Sequence, residues 1–388
     1  MDERSLIFPA HEYRARIERL QAGMAAQGLS ALLLTSPADI FYATGFLTRF
    51  WESPARPWFV VVPSEGEPVA VIPSIGADLM GRTWLCDIRT WNSPDPRDDG
   101  VGLLVETLAE IVAPQGRIGL PMGPETHLRM PLQDFEAVRA RLAPRRFFDA
   151  TACVQRVREV KSEAEIGKIR SACTVAARAF ARVPEFAPEG RPLEDVFRDF
   201  QIALLAEGAD WVSYVAGGAG PEGYGDVISP AGPWPLQRGD ILMLDTGAVK
   251  DGYFCDFDRN FAIGLASDTA RRAHAALWHA TEDTLTALLP GMLARDAHRL
   301  LSEGLQLRNV TPVGGRLGHG LGVTLTEWPS FTPLDDTPLR EGMVLTLEPG
   351  CVTTEGRIMV HEENIVLRAD GPELLSSRAL EDLPMIRP

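Results

Sequence analysis

The stretch ILMLDTGAVKDGYFCDFDRNFAIG, residues 241–264, decides how this chain is read. Two apolar runs of strand character flank Lys250-Asp251-Gly252, and Asp-Gly is a favoured pair for the tight turn of a β-hairpin. Into those runs the sequence sets three carboxylates, Asp245, Asp256 and Asp258. Side chains alternate between the faces of a strand, so Asp256 and Asp258 share one face. A four-residue loop pairs Asp245 with Asp256; a two-residue Asp-Gly loop pairs it with Asp258 instead. Either register opposes carboxylates at about 5 Å, where like charges repel. A cation between them would remove the conflict. A solvated hairpin edge also tolerates acids, but the flanks ILML and NFAI are too apolar for one.

Three more residues stand in comparable settings. In GHGLGVTLTEWPS (318–330), His319 lies between Gly318 and Gly320, with Gly322 close behind; such small neighbours leave the imidazole unscreened and space for a ligand. In GMVLTLEPG (342–350), Glu348 closes an apolar strand on the face of Thr346, immediately before a Pro-Gly stop. In RIMVHEENIVL (357–367), Glu362 interrupts another apolar strand, where a lone carboxylate needs a partner. His319 with Asp245, Asp256, Glu348 and Glu362, one imidazole and four carboxylates, forms an oxygen and nitrogen donor set suited to Mn, Fe, Co or Zn.

The surrounding chain gives these residues a frame. At 388 residues it is long for one hydrophobic core, and two domains are expected, 1–158 and 159–388. In the first, EYRARIERLQAGMAAQG and VGLLVETLAEIVAP have helical spacing, while SALLLT and WFVVVP read as strands, an α/β pattern. The second opens on VKSEAEIGKIRSACTVAARAFARV, where Ser162 and Glu165 form a capping box ahead of a long helix. Further helices are expected near 193–207 and 268–304. The Gly/Pro-rich AGGAGPEGYGDVISPAGPWP (216–235) reads as a loop at the substrate's edge; it lacks the strand-to-helix setting of a phosphate cradle.

Composition narrows the partners. A formal net charge of -15 without long single-sign runs argues against nucleic acid and against an anionic membrane surface. Five scattered cysteines, Cys86, Cys153, Cys173, Cys255 and Cys351, suit a reduced, cytoplasmic compartment. The opening MDERSLIFPA lacks a signal peptide's pattern, and no segment is apolar for long enough to span a membrane.

In the order Asp245, Asp256, His319, Glu348, Glu362, the five residues resemble the metal set of the pita-bread metallopeptidases, the family of methionine aminopeptidase, aminopeptidase P, prolidase and the metal-free creatinase. The intervals match the prolidase-like branch: eleven positions from Asp245 to Asp256, twenty-nine from His319 to Glu348, fourteen from Glu348 to Glu362. DTGAVKDGYFCDFDRNFAIG, GHGLG and LREGMVLTLEPG follow in the family's order, and SPADIFYATGF and VREVKSEAEIGKIR resemble its amino-terminal and linker motifs. The resemblance implies an α+β protein: an amino-terminal creatinase-like α/β domain, then a carboxy-terminal pita-bread domain with a curved antiparallel sheet flanked by helices. It also implies a homodimer and two divalent ions (Mn, Co, Zn or Fe) on the five residues. The implied reaction is Xaa-Pro-type hydrolysis of a small peptide or amide by a metal-bridging hydroxide, with Glu348 shuttling the proton.

Three positions depart from that pattern. Thr326 stands where the family's His-Glu-x-Pro histidine is expected. A second family histidine, about a dozen residues before Asp240, falls on Ile228, with Ser229 beside it. Asp258 replaces the more usual Ser or Thr before Arg259. Thr326, Tyr224 and Arg259 are candidate hydrogen-bond donors to an oxyanion, and Asp258 a compensating acid or base. His361 should face away from Glu362, Cys255 should face the core, and His11, His127, His274, His279 and His298 read as surface or packing residues. Two further readings follow from the same residues: a diverged metal-dependent hydrolase or lyase for a small nitrogenous or sulfonium compound, and a non-catalytic binding scaffold.

Overall fold

The computed structural model describes residues 7–51, 53 and 56–387. The first six letters of MDERSLIFPA, read above as lacking a signal, lie outside the described residues. The chain divides into two compact units, one ending at Arg158 and the other starting at Glu159.

The first unit is built on a six-stranded sheet of β1 (Ala31–Leu34), β2 (Phe59–Pro63), β3 (Val69–Pro73), β4 (Asp87–Trp91), β5 (Arg117–Leu120) and β6 (Arg146–Asp149), in the order β4-β3-β2-β1-β5-β6. β1 pairs antiparallel with β2 and parallel with β5. Its central strands are apolar throughout and buried on both faces, as mixed sheets covered by helices require. Leu33, Phe59, Val61 and Val71 pack against Leu104 and Leu108 of the helix Val101–Ile111, the one expected from VGLLVETLAEIVAP. The helix Ala10–Gln27 ends where Gly28 turns left-handed at φ 64° and its N–H caps the carbonyl of Ala25.

In the second unit, β7 (Trp211–Pro221), β8 (Asp240–Lys250), β10 (Phe257–Ile263) and β19 (Met385–Ile386) form a sheet in the order β19-β10-β8-β7, with the short β9 (Tyr253–Phe254) paired to β8. β11 (Thr311–Val313), β15 (Gly350–Thr354) and β16 (Arg357–Val360) form a second sheet. A third takes the order β13-β12-β14-β17-β18, from β12 (His319–Gly320), β13 (Glu327–Ser330), β14 (Val344–Leu347), β17 (Glu363–Arg368) and β18 (Gly371–Leu374). Pairing is antiparallel except between β10 and β19.

Helices flank these sheets. Glu163–Ala181 opens on the expected capping box: Ser162 accepts from the Glu165 N–H, and Glu165 accepts from the Ser162 N–H. Leu193–Ala206, Asp268–Ala287 and Ala294–Gln306 occupy the other expected helical stretches. One expectation fails. The Gly/Pro-rich run is not a loop from its start, because residues through Pro221 belong to β7 and pair with β8. Its glycines serve close backbone approach: Gly217 has φ 143°, and a Cβ there would lie 2.1 Å from the Met243 carbonyl oxygen. Among the described residues, no helix is long and apolar enough to cross a membrane, and all five cysteines are free thiols.

Candidate metal centre

The hairpin sets the first side of the site. Asp251 and Gly252 take left-handed φ values of 52° and 79°, the two-residue turn in which Lys250 pairs with Tyr253. Of the two registers open to the sequence, that turn selects the one opposing Asp258 to Asp245. Asp256 lies in the break between β9 and β10.

The third sheet sets the other side. His319 is on β12, while Glu348 and Glu362 lie one residue beyond the last ladder pair of β14 and β17, Leu347 with Glu363. That ladder brings the two glutamates side by side. The His319 N–H donates to Thr346 Oγ1 at 3.1 Å. The glycines around His319 act differently from the expectation of open space. A Cβ on Gly318 would lie 2.4 Å from Phe331 and from the Thr346 carbonyl, and one on Gly320 would lie 2.0 Å from the Trp328 carbonyl. They let backbone segments pack against the ligand strand.

Asp245, Asp256, His319, Glu348 and Glu362 come together, Asp256, His319 and Glu362 buried and Asp245 and Glu348 partly buried. His319 Nε2 lies 3.3 Å from Asp256 Oδ2 and 3.8 Å from Glu348 Oε2. One donor atom each from Asp256, His319 and Glu362 fall within 4.8 Å of one another, a grouping able to hold a metal ion. Burial, then the charges of Asp256 and Asp258, push Asp245 well above the usual carboxylate range. Burial and the neighbouring Asp256 and Asp245 do the same to Glu362, and burial raises Glu348. Asp258 is pushed up to about 7, chiefly by burial. Burial works against the charged form of His319, but its hydrogen bond with Asp256 and the charge of Glu348 outweigh that and raise it.

Two observations test the fit of a cation. Glu362 Oε1 and Asp258 Oδ2 are buried without a hydrogen-bond partner among the described residues. His319 Nδ1 lies 2.7 Å from the Gly320 carbonyl oxygen and so carries a proton, which leaves Nε2, the nitrogen facing Asp256 and Glu348, as the atom that would give its lone pair to a cation in place of a proton. An imidazole in that tautomer among crowded carboxylates fits a divalent cation.

The remaining candidates divide. Asp258 joins the cluster and accepts from the Glu362 N–H at 2.9 Å. Arg259 does not: strand alternation turns it to the opposite face, where it donates to the Asp258 and Glu362 carbonyls and to Glu363. Tyr224 is likewise corrected. It is fully buried in the core, donating to Asn260 Oδ1 and accepting from the Val360 N–H. Thr326 is half-buried and its carbonyl accepts from Thr324 Oγ1 at 3.0 Å; the side chain beside the cluster strand at Gly247 is that of Leu325. Ile228 is 85% exposed. His361 and Cys255 are buried away from the cluster's donors, as alternation predicts.

Sequence reasoning missed Tyr214 and Arg316. β7 pairs Val212 with Ala248 and Val215 with Thr246, leaving Ser213 and Tyr214 opposite Gly247 in a bulge. The bulge aims the Tyr214 hydroxyl into the cluster, 2.5 Å from Asp256 Oδ1 and 3.1 Å from both oxygens of Asp245. Gly247 makes room, since a Cβ there would lie 2.5 Å from the Tyr214 ring. Arg316 Nε donates to Glu348 Oε1 at 3.1 Å. A tyrosine in a polar interruption of β7 was the available signal for the first; nothing local marked the second.

Comparison with known proteins agrees with this architecture. Residues 167–369 match metallopeptidase family M24, and residues 16–160 match the creatinase/prolidase N-terminal domain. The chain is 30% identical over 364 residues to a probable dipeptidase PepE of Mycobacterium tuberculosis, covering 93% of each. It is 22% identical over 376 residues to a Xaa-Pro dipeptidase of Pyrococcus furiosus, covering 95% of this chain and 99% of that one. The crystal structure of dipeptidase PepE from Mycobacterium ulcerans superposes with a TM-score of 0.84 at 26% identity, over 98% of this chain and 99% of that one. A prolidase structure from Thermococcus sibiricus shares the fold, with a TM-score of 0.85 at 22% identity over 96% and 99%. With both domains matched along the chain, the protein belongs to metallopeptidase family M24, in its prolidase-like branch, and is a hydrolase on the pita-bread fold.

Proposed function

We propose that the protein is a dinuclear metal-dependent peptidase of the Xaa-Pro dipeptidase and aminopeptidase type, acting on dipeptides or small amides. The observation that carries this reading is the convergence of His319 with Asp245, Asp256, Glu348 and Glu362 in a largely buried cluster, where Glu362 Oε1 has no hydrogen-bond partner among the described residues. Asp245, Asp256, His319, Glu348 and Glu362 would hold two divalent ions of the Mn, Co, Zn or Fe class. Bound there, such ions polarise a substrate carbonyl and lower the pKa of water toward neutrality.

The chain's own groups then have separate tasks. Tyr214 ties down Asp256 Oδ1, which leaves Oδ2 turned toward His319. Glu348, with Arg316 on one oxygen, accepts the proton of the attacking water and passes it to the leaving amine. Asp258 braces the Glu362 backbone and supplies an acid or base behind the ligands. Thr326 offers a neutral hydroxyl where the resembling enzymes have an imidazole. The relatives named as dipeptidases and Xaa-Pro dipeptidases support a small peptide as substrate. The test is elemental analysis after purification without chelator and loading with Mn or Co, followed by assay on proline and non-proline dipeptides. A folded protein that retains no metal would overturn the reading.

The positions of Thr326 and Ile228 favour a second reading of the same centre, a substrate other than an ordinary X-Pro peptide, such as a small nitrogenous or sulfonium compound. Full metal loading without dipeptide turnover would select it. A non-catalytic scaffold fits less well, because the ligand set is retained. A homodimer is the expected assembly, to be read by light scattering as twice the 42.4 kDa chain. A reducing cytoplasm suits the five free thiols.

A further inference from the structure

Behind the metal cluster, β10, which carries Asp258, and the link between β16 and β17, which carries Glu362, send the neighbouring side chains Arg259 and His361 the other way. Arg259 and His361 there line a cavity of ≈ 200 Å³, together with His274 from the helix Asp268–Ala287 and Arg378 from the segment after β18. At roughly 30 Å³ per water, that space equals about six or seven waters, or a ligand of similar heavy-atom count.

The polar shell of this cavity is incompletely satisfied. Arg259 Nη2 and Arg378 Nη1 share one buried carboxylate, Glu363, at 3.0 and 3.1 Å. Glu282 reaches Arg378 Nε from outside at 3.5 Å and is 47% exposed. Glu363 is thus the buried carboxylate that both guanidinium groups share, while the second carboxylate, Glu282, pairs with Arg378 from the solvent side. Arg378 Nη1 also donates to His361 Nε2 at 2.8 Å, which leaves that ring neutral. His274 Nε2 lies 3.0 Å from the Leu380 carbonyl and so carries the proton, making Nδ1 a bare acceptor. His274 is 3% exposed, and among the described residues its Nδ1 has no partner; Arg378 Nε also lacks a hydrogen bond. One unanswered acceptor, His274 Nδ1, thus belongs to the wall of a cavity that two guanidinium groups also line.

The remaining wall is apolar, with Phe180, Phe261, Leu380 and Pro384. A dianion such as phosphate would lose hydration against that wall without enough donors to replace it. A monocarboxylate has less hydration to lose, and its chain would bury apolar surface. We propose that this cavity binds a small monocarboxylate with a short apolar chain, its carboxylate on Arg259 and Arg378 and a hydroxyl or amino donor on the chain against His274 Nδ1. The site uses none of the metal ligands and stands independently of the peptidase reading.

The test is calorimetric titration of the metal-loaded full chain with sodium 2-hydroxybutyrate, sodium butyrate and neutral 2-hydroxybutyramide. Three variants separate the sites: His274→Phe, Ala181→Trp at an exposed position of the lining, and Asp256→Asn in the metal cluster. The hydroxy acid should bind wild type and Asp256→Asn alike. It should bind His274→Phe about tenfold more weakly, the size expected for one lost hydrogen bond, and Ala181→Trp not measurably. Butyrate should bind more weakly than the hydroxy acid, and the amide not at all. If His274→Phe fails to fold, the surface variant Ala181→Trp still decides. Absence of binding at millimolar concentration, equal binding of the amide, or binding lost in Asp256→Asn but kept in both cavity variants would overturn the proposal. The last outcome would place the carboxylate on the metals.

Discussion

Replacing Tyr214 with Phe removes one oxygen from the centre and tests how the ligands are held. The hydroxyl lies 2.5 Å from Asp256 Oδ1 and 3.1 Å from each oxygen of Asp245. It has one proton to donate, and the shortest contact assigns that proton to Asp256. Asp256 Oδ2 is left facing His319 Nε2, so the hydrogen bond persists when a cation sits between these groups. In the metal-free protein the substitution leaves a buried carboxylate short of a donor, costing about 1.5–3 kcal/mol of stability. In the loaded protein Tyr214 is an outer partner of a ligand, and loss of such partners typically weakens metal binding by roughly 10–100-fold. The assay is competition for Mn or Co against a chromophoric chelator, with denaturant melts of chelator-treated protein beside it. Excess metal should restore much of any activity lost. A Phe variant that binds metal as tightly as wild type, or more tightly, would refute the argument that Tyr214 orients Asp256.

Three other outcomes follow from the same geometry. Thr326→His should raise turnover of X-Pro dipeptides by about two orders of magnitude, the equivalent of about 3 kcal/mol of oxyanion stabilisation; normal prolidase rates in wild type with no gain in the variant would show that Thr326 marks no change of substrate. Lys161 Nζ and Glu327 Oε2 are 3.0 Å apart with side chains only 1% and 4% exposed, so Lys161→Met should cost about 3–5 kcal/mol in denaturant melts, with much of it recovered by adding Glu327→Gln; a single variant within about 1 kcal/mol of wild type would contradict this. Asp245, Glu348 and Glu362 are held above the ordinary carboxylate range and Asp258 at about 7, so their contribution to the metal-free fold is present at acid pH and is lost as pH rises from the ordinary carboxylate range through each raised pKa, about 7 for Asp258. Cations reverse the trend by binding the ionised forms, and titration in buffers of different ionisation enthalpy should show protons released on binding, with affinity rising with pH.

What could be read from the sequence was whatever depended on local order. Asp-Gly announced the hairpin, apolar strands interrupted by Asp245, Asp256 and Glu362 announced a buried charge problem, and Ser162 with Glu165 announced a helix start. The two hairpin registers stayed open because they differ only in turn length, and the positive φ of Asp251 decided between them. The Gly/Pro-rich run misled because a glycine's local message is freedom. Gly217 and Gly247 are instead glycines by crowding, which comes from β8 and Tyr214 across the sheet.

Arg259 and Tyr224 were misplaced for a related reason. Proximity in sequence to a ligand says nothing about face, and one step along β10 moves a side chain from the cluster to the far side of the sheet. The buried Lys161 and Glu327 pair joins positions 166 residues apart, and no window of sequence contains both. The same alternation that hid Arg259 has a functional consequence. Its Nη1 donates to the carbonyls of Asp258 and Glu362, one on each of the two strand segments that bring carboxylates to the centre. Arg259 therefore fixes the spacing of those segments from behind, acting on the metal site through the backbone while its side chain stays with Glu363.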